Sequence, residues 1–106
     1  MTMPTMQQAL KLYEETMRKR CAESSRFELG RSKGERIHAA MVAVAAQMIA
    51  SRLPDIDGEK AYIMGLFHDF GKLVYNDEMS DKFHGLEGYK CLRKLGYDEL
   101  ARISLT

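Results

Sequence analysis

The stretch Ala61-Tyr62-Ile63-Met64-Gly65-Leu66-Phe67-His68-Asp69-Phe70-Gly71-Lys72 decides how the chain is read. From Ala61 to Phe67 every residue is apolar or glycine, the pattern of a central helix covered on all sides rather than an amphipathic surface one. Then His68 and Asp69 appear abruptly. A buried ionised carboxylate costs on the order of several kcal/mol unless a cation or hydrogen-bond donors compensate it. Two accounts of the pair stay open. One is a histidine bonded within the core beside an aspartate that caps a helix or pairs with Lys72. The other is a divalent metal held by imidazole and carboxylate together.

Upstream of this stretch, Asp57 can cap a new helix by accepting from the free amides of its first turn. The preceding helix stops at Leu53-Pro54, because proline disfavours the helical conformation of the residue before it. That helix reads from Gly34 to Leu53, with Ile37, Met41, Val44 and Met48 as an apolar stripe widened by Ala40, Ala45 and Ile49. Its many alanines permit close helix approach. Ser24 to Gly34, with Gly30 and Gly34 as breakers, reads as a linker. Before it, Met6, Leu10, Tyr13 and Met17 form the stripe of a first helix from Thr5 to Cys21. The run Arg18-Lys19-Arg20 suits the negative end of that helix better than a nucleic-acid patch.

Downstream, the chain is polar and turn-like through Asn76, Asp77 and Ser80, and helical periodicity resumes from Asp81 to Leu95. Gly96 fits a left-handed cap. A last short helix opens at Asp98 and carries Leu100, Ile103 and Leu105. With only two prolines and no lasting β-branched alternation, the chain reads as all-α.

The length of 106 residues allows one domain, divided into an N-terminal helix and linker over 1–33 and a core over 34–106. A composition 45% hydrophobic and 29% charged places it among globular chains. The net charge of +1 supplies no field to attract nucleic acid or an anionic membrane, so neither is an expected partner. Two cysteines, Cys21 and Cys91, match no disulfide framework or zinc pattern and read as reduced thiols. No apolar run is long enough for a signal peptide or a membrane span, and the expected location is the cytoplasm.

All three histidines occupy informative places: His38 in the first turn of the second helix, His68 at the end of the buried one, and His84 near the start of the next. Each can face a common centre. Imidazole with carboxylate suits Mn, Fe, Co, Ni or Zn without selecting among them, and Mg stays open as well. A bound ion of this kind makes water far more acidic and polarises a phosphoryl oxygen. Lys72, three residues after Asp69, can place its ammonium on the carboxylate's side and neutralise phosphate charge. His84 can equally be a helix-start residue meeting Asp81 or Glu87, and Arg36 can pair with Glu35 or solvent. The eight methionines read mostly as core filler.

The string Gly65-Leu66-Phe67-His68-Asp69-Phe70-Gly71-Lys72 resembles the signature of the HD-domain metal-dependent phosphohydrolase superfamily. It is especially similar to the HDIG variant, with Phe70 in place of isoleucine. Arg36-Ile37-His38-Ala39-Ala40-Met41-Val42-Ala43 is similar to that family's first metal-ligand helix, and His84-Gly85-Leu86-Glu87-Gly88 resembles its downstream histidine segment. The resemblance covers Gly34 to Thr106 and leaves out the first helix. It implies an HD-domain-like helical bundle with a metal on His38, His68 and Asp69, and Asp69 also in a catalytic role. It further implies that Lys72 contacts substrate phosphate and assists catalysis, with His84 and Arg36 as further substrate-binding residues. The implied reaction is hydrolysis of a phosphate mono- or diester, of a nucleotide or related small molecule, by metal-activated water.

The family pattern ends on a further aspartate ligand beyond the position of Thr106, so the bundle is expected to be truncated at its C-terminus. Asp98 and Glu99 are explained by helix-start capping. A fragment, a natural short form of weakened activity, and a subunit that borrows ligands from a neighbour all fit. A truncated bundle would expose Leu100, Ile103 and Leu105, and such a patch favours a homo-oligomer. The enzymatic reading therefore stands beside a second one: a catalytically weak or inactive HD-like module used for oligomerisation or ligand sensing.

Overall fold

A computed structural model describes residues 3–23, 29–74 and 84–105, with side chains at all of these except 20–23, 29–33, 74 and 84. The described elements are all helices, as expected, with no strand among the described residues. In chain order the helices are α1 (Met6–Glu23), α2 (Leu29–Ala50), α3 (Gly58–Phe67), α4 (Gly71–Val74), α5 (His84–Lys94) and α6 (Asp98–Ala101), closed by a 3-10 turn over Arg102–Leu105. No described helix is long and apolar enough to cross a membrane.

The central helix forms for the reasons its sequence states. Asp57 accepts from the amides of Glu59 at 2.9 Å and Lys60 at 3.4 Å and so starts α3. Ile63, Gly65, Leu66 and Phe67 are buried, and Phe67 is sealed completely. Around it lie Tyr13 of α1, in edge contact at 5.8 Å between ring centroids, and Phe70, at 4.8 Å. These rings tie α1, α3 and the turn before α4 into one core.

α2 crosses α3 where Gly65 meets Ala43, and the approach is so close that a methyl group on Gly65 would stand 2.8 Å from the Ala43 Cα. The alanines thus act as expected, with Ala39, Ala43 and Ala50 buried. The stripe does not. Ile37, Met41, Val44, Met48 and Ile49 all face outward. Backbones this near leave room for methyl groups only, so the bulky residues occupy the opposite side of the helix.

Three further expectations are corrected. α2 begins at Leu29, so the segment read as a linker is helical from there, with Gly30 and Gly34 inside it. A helical glycine costs only about 1 kcal/mol against alanine, which a long helix tolerates. On α1 the buried row is Ala9, Tyr13 and Met17 while Leu10 is exposed, because the small Ala9 fits the contact. Leu100 is fully buried and Ile103 partly so, leaving Leu105 alone exposed, and the apolar patch expected at that end is absent among the described residues. The polar segment at 75–83 lies outside the described residues.

The C-terminal half closes through glycines. Gly96 has φ 91°, the left-handed cap expected, with its amide donating to the Arg93 carbonyl and that of Tyr97 to Leu92, both at 3.0 Å. A Cβ on Gly85 would lie 2.5 Å from the Ser104 carbonyl oxygen, and one on Gly88 2.9 Å from the Gly71 amide nitrogen. The glycines after His84 therefore let α5 seat directly on the 3-10 turn and on the start of α4. Glu99 forms an ion pair with Lys60, which fastens α6 to α3.

Candidate metal centre

The turn between α3 and α4 decides what the centre presents. Its amides continue inward, Phe70 to the Phe67 carbonyl and Lys72 to that of Asp69, both at 3.0 Å. Phe67 and Phe70 are buried anchors at its ends, so the intervening His68 and Asp69 emerge on the side facing α2, each half-buried. From α2, His38 arrives opposite them. His38 Nε2 lies 3.2 Å from His68 Nε2 and 3.6 Å from Asp69 Oδ2, while His68 Nε2 lies 2.9 Å from the same Asp69 oxygen. The three residues expected as ligands are thus together.

Hydrogen bonding specifies the state of this cluster. His68 Nδ1 is 2.7 Å from the Gly65 carbonyl oxygen. A carbonyl only accepts, so Nδ1 carries the proton and Nε2 of the neutral ring is a bare lone pair. That lone pair then faces a carboxylate oxygen at 2.9 Å, two acceptors in contact. Such a contact is stable only with a positive species between or on them: a second proton on the ring, or a cation. The spacing suits a cation. Ligand bonds of about 2.0–2.2 Å set donor atoms roughly 3.0–3.5 Å apart around a tetrahedral or octahedral ion, close to the three separations seen. The bond from Nδ1 to a backbone carbonyl is also the usual way a ligating imidazole is oriented.

Around the cluster the charges are arranged asymmetrically. Lys72 Nζ stands 3.7 Å from Asp69 Oδ2 and 4.0 Å from Glu35 Oε1, held between the two carboxylates. Arg36 turns away toward α1, where it pairs with Glu14 at 3.1 Å. It is therefore not brought into the cluster. The side chain of His84 lies outside the described residues. With both histidines neutral, Asp69 and Glu35 against Lys72 leave the centre one negative charge, favourable to a cation.

Two contributors escape the sequence reading. Glu35 precedes His38 by three positions on α2, a spacing that puts both on one face and could have revealed it. Tyr13 of α1 gave no signal beyond its place in an apolar stripe. Burial is the main reason its phenol is pushed up to about 12; the nearby Glu35 carboxylate adds to this, Arg36 opposes it, and Glu14 and Asp69 reinforce it. Tyr13 is accordingly a neutral phenol beside the centre. Elsewhere, burial raises the free Cys91 thiol, which makes it a poor nucleophile. The side chain of Cys21 is outside the described residues.

The fold and the cluster together define an all-helical domain of HD-like type with a His-His-Asp centre between two helices. The HDOD domain is matched over residues 6–105, and the chain belongs to that family. The match takes in α1, which the resemblance to HD phosphohydrolases had left out. No curated protein and no solved structure matches the chain.

Proposed function

We propose that this chain holds one divalent metal ion on His38 Nε2, His68 Nε2 and Asp69 Oδ2, and hydrolyses a phosphate mono- or diester of a nucleotide or related small molecule. The observation that carries the reading is the convergence of His38 Nε2, His68 Nε2 and Asp69 Oδ2 within 3.6 Å of one another, with His68 Nδ1 2.7 Å from the Gly65 carbonyl oxygen. The string through Phe70-Gly71-Lys72 keeps the proposal near the HDIG form of the signature. Mixed nitrogen and oxygen donors suit Mn, Fe, Co, Ni or Zn, and Mg less well. When bound, such an ion is a Lewis acid that polarises a phosphoryl oxygen and makes water a better nucleophile.

The chain's own residues do the rest. His68 keeps its lone pair on the centre through its bond to Gly65. Asp69 supplies negative charge to the ion and a fixed partner for Lys72. Lys72 carries the ammonium that offsets phosphate charge as it develops, and Glu35 limits its swing. Arg36 would have to leave Glu14 to reach a phosphate, so Lys72 carries most of this proposal among the expected substrate-binding residues, which also include His84. The setting proposed is the cytoplasm, where a free thiol such as that of Cys91 stays reduced.

A second reading, a module that binds metal and a phosphorylated ligand without turnover, is favoured by membership of the HDOD family, whose domains are often non-catalytic, and by a set of three candidate ligands among the described residues. Metal analysis and a phosphate-ester panel with added Mn, Ni or Mg separate the two. Hydrolysis that Lys72→Ala lowers at least tenfold while metal content holds supports the enzyme. Bound metal with no turnover on any ester, and a rise in melting temperature with a nucleotide, supports the module. Full metal content in both His68→Ala and Asp69→Ala rejects either form.

A further inference from the structure

The outward side of α2 is the least expected surface of the molecule. From Ile37 to Ala50 the helix holds no Asp, Glu, Lys or Arg, although a solvent-facing helix side is ordinarily charged. Met41 is 67%, Met48 60% and Ile49 64% exposed, with Ile37 and Val44 about half exposed. Between the methionines runs a shallow groove of about 430 Å³ lined by Ala40, Met41, Val44, Ala45 and Met48.

We propose that this face is the two-fold interface between two copies of the chain, with the α2 helices packed antiparallel about Val44 and Ala45. The pattern favours a second copy over another partner. Met41, Val44, Ala45 and Met48 are spaced three, one and three apart, so the row reads the same from either end, large at its ends and small at its middle. A two-fold interface needs this self-complementarity, since each patch must receive itself. In the antiparallel register Met41 of one copy lies beside Met48 of the other, and the small central residues let the helices close. Methionine-rich, charge-free surface is also the composition of an interface core. On this face Ile37, Met41, Val44 and Met48 at these exposures offer roughly 400 Å² of apolar surface per copy, about half of the roughly 800 Å² each partner contributes to a standard interface, with Ala40 and Ala45 adding to it. Helical rise sets each His38 about 10 Å along α2 from the two-fold, so each copy keeps its own centre.

This inference does not depend on the metal centre. The test is molar mass by light scattering on the whole chain at tens of micromolar. The expected mass is that of two copies, and Val44→Glu, which sets two carboxylates against each other at the axis, halves it while far-UV helicity is retained. Val44→Cys forms a disulfide-linked pair under mild oxidation, several-fold above the unsubstituted chain, and this readout stands even where Val44→Glu does not fold. A single-copy mass for the unsubstituted chain overturns the proposal, whether the face is bare or covered by something other than a second copy. A two-copy mass that survives Val44→Glu, or no excess disulfide in Val44→Cys, overturns it as well.

Discussion

α2 and α3 lie against each other, yet they bury opposite kinds of residue. α3 hides Ile63, Leu66 and Phe67, whereas α2 hides Ala39, Ala43 and Ala50 and turns its methionines outward. The difference follows from distance. Where Gly65 meets Ala43 the backbones nearly touch, so the smallest side chains occupy the contact, and bulk is accommodated only where α3 faces α1 and the turn to α4. Hydrophobicity alone therefore misreads α2, because the contact selects for size.

The contrast can be broken most forcefully from the α3 side. Phe67→Ala removes a sealed ring shared by α1 and the 68–70 turn and is expected to cost about 3–5 kcal/mol in denaturant unfolding, with loss of metal binding at ambient temperature. Gly65→Ala drives a methyl group against backbone atoms of Val42 and Ala43 at 2.8–2.9 Å and should cost about 1–3 kcal/mol. A neutral result there would mean that the helices are free to separate and that distance does not set the choice of residues.

Tyr13→Phe probes the α1 side of the same core by pH. The unfolded phenol loses its proton near 10.0 and the folded one near 12, so over this window the unfolded chain binds fewer protons and stability falls as pH rises. Below pH 10 the contribution is fully present. The phenylalanine variant is expected to lack this alkaline slope, which urea titrations at pH 9, 10.5 and 11.5 would reveal. The smallest effect belongs to the outer side of α2: Met48→Gln should change unfolding of the single chain by under about 0.5 kcal/mol at high dilution. A larger loss would mean that this side belongs to the core after all.

What the sequence made legible was local. Asp57 announced its capping role and Gly96 its left-handed turn, since each depends on neighbours along the chain, whereas the run from Ala61 to Phe67 is not covered on all sides as read: Ile63, Gly65, Leu66 and Phe67 are buried but Ala61, Tyr62 and Met64 only partly so. The site was legible for a related reason. His68 and Asp69 follow seven apolar or glycine residues, and the family resemblance supplied His38 from α2. The face that α2 buries was not legible, because it is set by how near α3 comes. Neither was the contact of Tyr13 with Phe67, which arises only when α1 folds over α3. The start of α2 was misplaced by giving Gly30 and Gly34 more weight as breakers than about 1 kcal/mol each warrants.

The central claim is that His38, His68 and Asp69 hold one ion. Anomalous diffraction at the metal edge, from crystals grown with manganese or zinc, tests it most directly. The expected result is one peak about 2.0–2.2 Å from His38 Nε2, His68 Nε2 and Asp69 Oδ2. No peak at saturating metal, or a peak bound elsewhere with His68 hydrogen-bonded to Asp69 through a ring proton, would contradict it.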